Sequence, residues 1–268
     1  MTDLDGTLWD GSGKVHPRTL RALEILEAAS IPVLAATGRR AGSAWPLMEA
    51  NGIALPTVLL DGALGREFGA TTAFHRHPFS PAAAADMLKI LEELGVSPCI
   101  NVDAAGPDVV LGEHPSTHPE HVRLLEPWKR REDPWTAVRT LSVLAFTLIG
   151  GEASAMRDLA SEVTAKAPVA AALSADRTYG GLHLSIRPLG VHKWAGVVAF
   201  CAARGSDTRR VLAIGDSEND LELLDGAAIA VAVADGSPLA LGRAHHVLAP
   251  ASEGGWAGIL ELLGLSET

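Results

Sequence analysis

The segment Thr2–Thr7 reads T-D-L-D-G-T and places Asp3 and Asp5 on either side of a single leucine. Residues two apart on an extended strand point to the same side, so both carboxylates can face one spot if the turn at Gly6 brings the second one round. Two carboxylates that close repel each other, and burying them without compensation is costly. An ordinary strand exit with a helix cap would explain this segment alone. Three later segments favour a bound cation instead.

Polar residues follow apolar runs in two of the later segments, and an isolated lysine marks the third. They are the run 31–36 followed by T-G-R at 37–39, the run 211–214 followed by G-D-S-E-N-D at 215–220, and Lys193 in H-K-W. Strands and helices alternate through the first 61 residues, which predicts a parallel sheet with right-handed crossovers. In such sheets ligands bind beyond the C-terminal strand ends, where Asp3, Thr37 and Asp61 fall.

The spacing of apolar residues predicts the remaining elements. Helices are predicted at 17–29, 44–50, 80–94, 153–167, 191–203, 237–244 and 255–263. Strands are predicted at 31–36, 57–60, 97–102, 108–111, 141–149, 183–186, 210–214 and 228–233. The passage 114–121 contains three histidines and is predicted to be a solvated loop rather than a zinc site. Pro115 and Pro119 argue against a regular helix with those histidines on one face.

The composition excludes several classes of function. A net charge of −10 argues against nucleic acid as the main partner, because phosphate backbones need clustered Lys and Arg. No apolar run reaches the roughly 18 residues of a membrane span, and no signal peptide is visible. Cys99 and Cys201 are isolated, as expected of reduced thiols. We therefore expect a cytoplasmic protein without a membrane partner.

Together the four segments resemble those of the haloacid dehalogenase (HAD) superfamily of phosphohydrolases, in the same order along the chain. The chain is most similar to the Cof-like branch of that superfamily. This resemblance implies an α/β fold, with a doubly wound, Rossmann-like parallel-sheet core and an inserted α+β cap of the C2B type. We expect the core at 1–78 and 188–268 and the cap at 79–187. Because the motifs cover only the core, the cap rests on an analogy of position and length.

The resemblance also implies a role for each residue of these segments. Asp3 would be the nucleophile, and Asp3, Asp216 and the main-chain carbonyl of Asp5 would bind Mg²⁺, which prefers oxygen ligands. The side chain of Asp5 would serve as general acid and base. Asp220 would orient a ligand water or Lys193. The phosphoryl oxygens would be held by the Thr37 hydroxyl, the backbone amides of Leu4 and Gly38, the Asn219 amide and the Lys193 ammonium.

Three residues near the predicted site allow more than one interpretation. A lysine in the first turn of a helix is often only a surface residue, but the helix dipole disfavours a cation there, so we favour an anion-binding role for Lys193. Arg39 can contact substrate or pair with Asp61, and the sequence leaves both options open. Asp61 stands where Cof-like proteins usually have Asn, which would alter its contact with substrate.

The expected activity is magnesium-dependent hydrolysis of a small phosphorylated metabolite, such as a sugar phosphate, through an aspartyl-phosphate. The alternatives are a phosphomutase on the same scaffold and a non-catalytic phosphate-binding or regulatory module. The oligomeric state cannot be deduced. Only Met1 and Thr2 precede Asp3, whereas strands average about five or six residues, so we also expect the natural protein to begin several residues earlier.

Overall fold

The structure is a computed structural model that describes residues 1–104, 106–176 and 178–267. The chain divides into two compact units. We call Met1–Phe74 together with Lys193–Thr268 the core unit, and His75–His192 the inserted unit. The sequence predicts boundaries after residues 78 and 187, close to the limits of the inserted unit.

The elements alternate along much of the chain. The helices are α1 (Pro17–Ala28), α2 (Ala41–Ala50), α3 (Pro81–Glu93), α4 (Pro119–Leu125), α5 (Pro134–Thr140), α6 (Ala153–Lys166), α7 (Lys193–Arg204), α8 (Leu221–Gly226), α9 (Pro238–Arg243) and α10 (Ile259–Leu262). The strands are β1 (Ala35–Ala36), β2 (Thr57–Leu59), β3 (Leu64–Arg66), β4 (Ala73–Arg76), β5 (Cys99–Val102), β6 (Val109–Leu111), β7 (Val143–Gly151), β8 (Val169–Ala175), β9 (Leu182–Pro188), β10 (Leu212–Gly215), β11 (Ile229–Val233) and β12 (His246–Leu248).

Thr2 lies at the centre of the sheet in the core unit. It forms parallel bridges to Ala35 on one side and to Ile214 on the other. On those two sides β1 pairs in parallel with β2, and β10 pairs in parallel with β11 and then β12. The expected α/β fold with a parallel sheet is therefore confirmed. The predicted strand 31–36 is too long, because only its last two residues are in β1.

Helix α7 packs against the core sheet and thereby positions Lys193. Val197 and Phe200 of this helix share an apolar cluster with Val58 of β2. The approach is close at Gly196, where a Cβ atom would lie 2.4 Å from Val58. Glycine therefore allows the helix to lie against the strand, with Lys193 as its first residue. The predicted helix began two residues earlier, but its assignment of Lys193 to the first turn is confirmed.

The inserted unit contains a five-stranded antiparallel sheet in the order β6-β5-β7-β9-β8. An apolar cluster joins one face of the sheet, including Phe146 and Ile186, to Met87 and Leu91 of α3. Strand β8 has no counterpart in the sequence-based prediction. Its sequence V-A-A-A-L-S-A is rich in alanine, which is depleted in strands and gives a weak signal.

Helix α4 corrects the interpretation of the histidine-rich passage. Pro119 starts this helix, because the first turn needs no backbone N–H, and the His118 side chain accepts a hydrogen bond from Glu120 N–H. The His118 ring also stacks on Tyr179 with 4.6 Å between ring centroids. The prediction of a loop is therefore wrong for 119–121. No histidine of the described chain belongs to a group of side chains that could hold a metal ion. Nor is any described helix long and apolar enough to cross a bilayer.

Candidate active site

Four buried charged residues meet in the core unit. Asp3 follows the bridge at Thr2, Lys193 opens α7, and Asp216 and Asp220 lie in the turn after β10. Their relative exposures are 4% for Asp3, 1% for Lys193, 2% for Asp216 and 0% for Asp220. Ionised groups are seldom buried so completely unless they are paired or bind a ligand. We call these four residues the lysine side of the site.

The ammonium of Lys193 links two of the carboxylates. Its Nζ donates to Asp3 Oδ1 over 2.6 Å and to Asp220 Oδ1 over 2.7 Å. Burial alone would lower the pKa of Lys193, but the charges of Asp220, Asp3 and Asp61 outweigh burial and raise it. The lysine is therefore charged at neutral pH and available to stabilise an anion.

The carboxylates on the lysine side form a possible metal centre. One oxygen from each of Asp3, Asp216 and Asp220 lies within 4.8 Å of the other two. Burial raises the pKa of Asp3, Lys193 opposes that rise, and the neighbouring aspartates add to it. A donor set made only of oxygen atoms suits a hard divalent cation, which would relieve this repulsion.

The carboxylate of Asp220 is held in place on both sides. While Oδ1 accepts from Lys193, Oδ2 accepts from the backbone N–H groups of Asp216 at 3.0 Å and Ser217 at 3.1 Å. Only a glycine fits beside it, since a Cβ atom on Gly215 would lie 2.6 Å from its Cγ. Asp220 therefore fixes both the turn that carries Asp216 and the position of the ammonium.

Asp5 has different partners, which we call the arginine side of the site. Arg39 donates from Nε to Oδ2 and from Nη2 to Oδ1, both over 2.7 Å, and Trp9 Nε1 donates to Oδ1 over 3.0 Å. Burial alone would raise the pKa of Asp5, but the hydrogen bonds and charge of Arg39 hold it below its ordinary value. The side chain of Asp5 is nevertheless 41% exposed.

The pairing of Arg39 with Asp5 differs from the sequence-based expectation, which is a contact with substrate or with Asp61. A signal for the pair is nevertheless present in the sequence. Asp3 and Thr37 are predicted at neighbouring strand ends, and Arg39 follows the second of those ends by two residues. Trp9 gave no comparable signal.

A tight turn separates the two aspartates of the first segment. The Leu4 carbonyl accepts hydrogen bonds from the backbone N–H groups of Thr7, Leu8 and Trp9, at 3.3, 3.0 and 3.1 Å. Gly6 has a φ of 79°, a left-handed conformation that favours glycine. The chain thus turns back immediately after Asp5, which contacts the arginine side while Asp3 contacts the lysine side.

Three of the residues expected to hold phosphate, Thr37, Gly38 and Asn219, lie beside Asp61. The backbone carbonyl of Thr37 accepts from the Asp61 N–H at 2.9 Å, and Asp61 Oδ1 accepts from Asn219 Nδ2 at 2.9 Å. The hydroxyl of Thr37 accepts from the Arg39 N–H at 3.1 Å. The Asn219 amide, which the sequence analysis assigned to a phosphoryl oxygen, therefore contacts Asp61 in this structure.

Comparisons with known proteins find similarity along almost the whole chain. The sequence model of the haloacid dehalogenase-like hydrolases matches residues 1–260. The pyridoxal phosphate phosphatase of Escherichia coli (strain K12) is 24% identical over 259 residues, which cover 92% of this chain and 91% of that protein. A phosphatase of the haloalkanoate enzyme superfamily from Bacteroides thetaiotaomicron has a TM-score of 0.79 at 18% identity, over 98% of this chain and 93% of its own. A sugar phosphatase of HAD subclass IIB has a TM-score of 0.77 at 20% identity, over 98% and 97%.

Proposed function

This chain belongs to the haloacid dehalogenase-like hydrolase family, and from that premise we propose that it is a magnesium-dependent phosphatase acting through an aspartyl-phosphate. The observation that carries the proposal is the cluster of buried Asp3, Asp216 and Asp220 carboxylates around the Lys193 ammonium. Burying four charged groups together costs more than apolar residues of similar size would. Binding and transfer of a phosphoryl group accounts for that cost.

Asp3 and Asp216 would hold the magnesium ion with their carboxylates, and Asp5 with its main-chain carbonyl. The fit rests on the all-oxygen donor set and on the mutual repulsion of the buried carboxylates. When bound, the ion would supply charge neutralisation and polarise the phosphoryl group. Asp220 would remain with Lys193, because both of its oxygens already accept hydrogen bonds.

Asp3 supplies the nucleophile in this mechanism. One of its carboxylate oxygens attacks phosphorus, the bond from phosphorus to the ester oxygen breaks, and an aspartyl-phosphate forms. A water molecule then attacks the same phosphorus, which releases inorganic phosphate and restores the carboxylate. Lys193 stabilises the negative charge on the transferring group from its hydrogen-bonded place beside Asp3.

Asp5 carries the protons in both steps. The departing alkoxide needs a proton in the first step, and the attacking water must lose one in the second. Asp5 lies two residues from Asp3, and its side chain is partly exposed, so it can reach the leaving group. Arg39 and Trp9 orient the carboxylate. General acid–base groups of this kind contribute roughly 10²–10⁴-fold to the rate.

The remaining phosphoryl oxygens would be held by neutral donors. These are the hydroxyl of Thr37, the backbone N–H groups of Leu4 and Gly38, and the side-chain amide of Asn219. Support comes from the position of Thr37 at a buried strand end and from the contact of Asn219 with the same loop. Donors arranged in advance stabilise charge well because they need not reorganise during the reaction.

The substrate is proposed to be a small, polar phosphate monoester such as a sugar phosphate. Two compared proteins are named as a pyridoxal phosphate phosphatase and a sugar phosphatase, and both names denote small phosphorylated molecules. We assign the inserted unit, His75–His192, the role of a C2B-type cap that selects among such molecules. The acidic net charge of −10 also disfavours nucleic acid as a substrate.

The test is phosphate release from a broad panel of phosphate monoesters, with magnesium and with a chelator. We expect phosphate release to require magnesium. We also expect the phosphoryl group of the substrate to label the protein covalently, in a form that survives acid. A phosphomutase would isomerise a sugar phosphate and release little phosphate. If no panel member is hydrolysed or isomerised with magnesium present, the result would favour a non-catalytic phosphate-binding module.

A further inference from the structure

We propose that Asp61 is a specificity-determining residue that weakens the hold of the site on inorganic phosphate and so favours release of the product. The inference rests on the proposed function, because it assumes that the residues around Asp61 bind the phosphoryl group. Asp61 is only 2% exposed, although it lies in a loop after β2. A carboxylate so buried affects every charged group near it.

Asp61 lies against three of the residues proposed to hold phosphate. Its backbone N–H donates to the Thr37 carbonyl, and its Oδ1 accepts from Asn219 Nδ2, both over 2.9 Å. A Cβ atom on Gly38 would lie 3.1 Å from Oδ1 and 3.4 Å from Oδ2. The negative charge is therefore placed directly beside the backbone at 37–38 that is proposed to receive the phosphoryl oxygens.

The backbone holds this carboxylate in an uncommon conformation. Leu60 and Asp61 have φ values of 49° and 50°, and Gly62 follows with a φ of 112°. Non-glycine residues seldom adopt the left-handed conformation, and those that do cluster at functional sites. The Asp61 carboxylate is thus kept beside Gly38 and Asn219 by the fold of the loop and by its hydrogen bonds.

The charges of the site explain what such a carboxylate does. Among the described residues, the ammonium of Lys193 is buried together with four acids, which are Asp3, Asp61, Asp216 and Asp220. Asp61 also acts on the ammonium itself, since its charge contributes to the raised pKa of Lys193. A phosphate dianion bound there meets repulsion that a neutral side chain at position 61 would not exert.

Asp61→Asn removes the negative charge at position 61 and keeps the shape of the side chain. Asparagine keeps an oxygen that accepts from Asn219, and it tolerates the left-handed conformation as well as aspartate does. The affinity for inorganic phosphate would be measured by calorimetry with magnesium present, and again as product inhibition. We expect at least roughly tenfold tighter binding, because a buried unit charge acts strongly on a neighbouring anion and tenfold corresponds to only about 1.4 kcal/mol.

Glu218→Gln is the matched control. It removes the same charge from the acidic turn after β10, but from an exposed side chain. Screening by water and salt should keep its effect on phosphate affinity within about twofold. Asp61→Gly is a second test should Asp61→Asn fold poorly, because glycine accepts the backbone conformation and also removes the charge. Melting temperatures would verify that each variant is folded.

The outcomes separate this inference from the proposed function. Suppose that the wild-type protein hydrolyses phosphate esters and that the folded Asp61→Asn and Asp61→Gly variants bind phosphate no more tightly than it does. This result would overturn the role of Asp61 alone. Failure of the wild-type protein and both variants to bind phosphate with magnesium would overturn the proposed phosphate site and, with it, this inference. Tighter binding by both variants, with Glu218→Gln unchanged, would support it.

Discussion

The lysine side and the arginine side of the site start from two aspartates of one short segment and differ in burial and in charge partner. Asp3 on the lysine side is 4% exposed, shares the Lys193 ammonium with Asp220, and has a raised pKa. On the arginine side, the carboxylate of Asp5 is 41% exposed, pairs with two of the guanidinium nitrogens of Arg39, and has a lowered pKa.

This difference in burial and charge partner supports the two different roles proposed for Asp3 and Asp5. The buried acid can form a covalent bond to phosphorus only where neighbouring positive charge stabilises the transferring group. The exposed acid remains in contact with solvent and can exchange protons. Substitutions on the lysine side should therefore affect both activity and stability, whereas those on the arginine side should chiefly affect proton transfer.

Asp3→Asn should have the largest effect on activity. An amide cannot accept the phosphoryl group, so turnover should fall by about 10⁴-fold or more, as after loss of other nucleophiles. The shape is kept, and the circular dichroism spectrum should not change. Asp10→Asn is the control, because the Asp10 carboxylate accepts its hydrogen bonds within its own loop, from Ser12 and Lys14. Near-normal turnover by Asp3→Asn would exclude Asp3 as the nucleophile.

Lys193→Met should impair both turnover and stability. It leaves the carboxylates of Asp3 and Asp220 buried without their cation. This change should lower the free energy of unfolding by about 4 kcal/mol. Turnover should fall by about 10²–10³-fold. Lys89→Met is the control, since the side chain of Lys89 is 68% exposed and its pair with Glu93 spans 3.9 Å.

The loss in Lys193→Met should depend on pH. Lys193 has a folded-state pKa raised above its ordinary value of 10.5, so its stabilisation is fully present below that pH. In the variant, Asp3, whose pKa burial already raises, can become neutral only by binding a proton, so lowering the pH should reduce the destabilisation. Urea unfolding at pH 5 and pH 8 measures this. Equal losses at both pH values would mean that Lys193 contributes packing rather than charge.

The lysine side was largely predictable from the sequence, and the reason is local. Asp216 and Asp220 follow the apolar strand β10 within a few residues, Asp3 follows the bridge at Thr2 beside that strand, and parallel strand ends meet at one edge of a sheet. Lys193 is predicted by the family resemblance, which implies an isolated lysine late in the chain. The backbone alone brings these groups together, so a pattern of residue types indicates the site.

The arginine side and parts of the inserted unit were less predictable, because side-chain and tertiary contacts determine them. Asp5 and Arg39 are 34 positions apart, and Arg39 could reach several acids. Strand β8 forms from an alanine-rich segment because β9 pairs with it along seven residues. The packing of His118 against Tyr179 is equally non-local. None of these contacts leaves a short motif.

Asp5→Ala would test the proton-transfer role of the arginine side. Turnover of a sugar phosphate at saturating magnesium should fall roughly 10²–10⁴-fold, because its alkoxide leaving group needs a proton. Aryl phosphates, whose leaving groups are weak bases, should be affected less in the first step, so that phosphoenzyme accumulates. Complete recovery of Asp5→Ala activity with excess magnesium would show that Asp5 serves only the metal.

Arg39→Gln should have the smallest effect, and it separates orientation of Asp5 from its chemistry. The two side chains are 31% and 41% exposed, so solvent screening limits the loss of unfolding free energy to about 0.5–1 kcal/mol at pH 7. The folded-state pKa of Asp5 is lowered from its ordinary 3.8, so the pair stabilises the protein above that pH and the gain is lost as the pH falls further. The difference in stability between wild type and Arg39→Gln should therefore shrink below pH 3.8.

In the variant, the acidic limb of the pH–rate profile should move to higher pH, because Asp5 binds a proton more readily. Arg209→Gln, which breaks the exposed pair with Asp207, is the control and should leave that limb in place. An unmoved limb in Arg39→Gln would mean that Arg39 does not set the protonation of Asp5 during turnover.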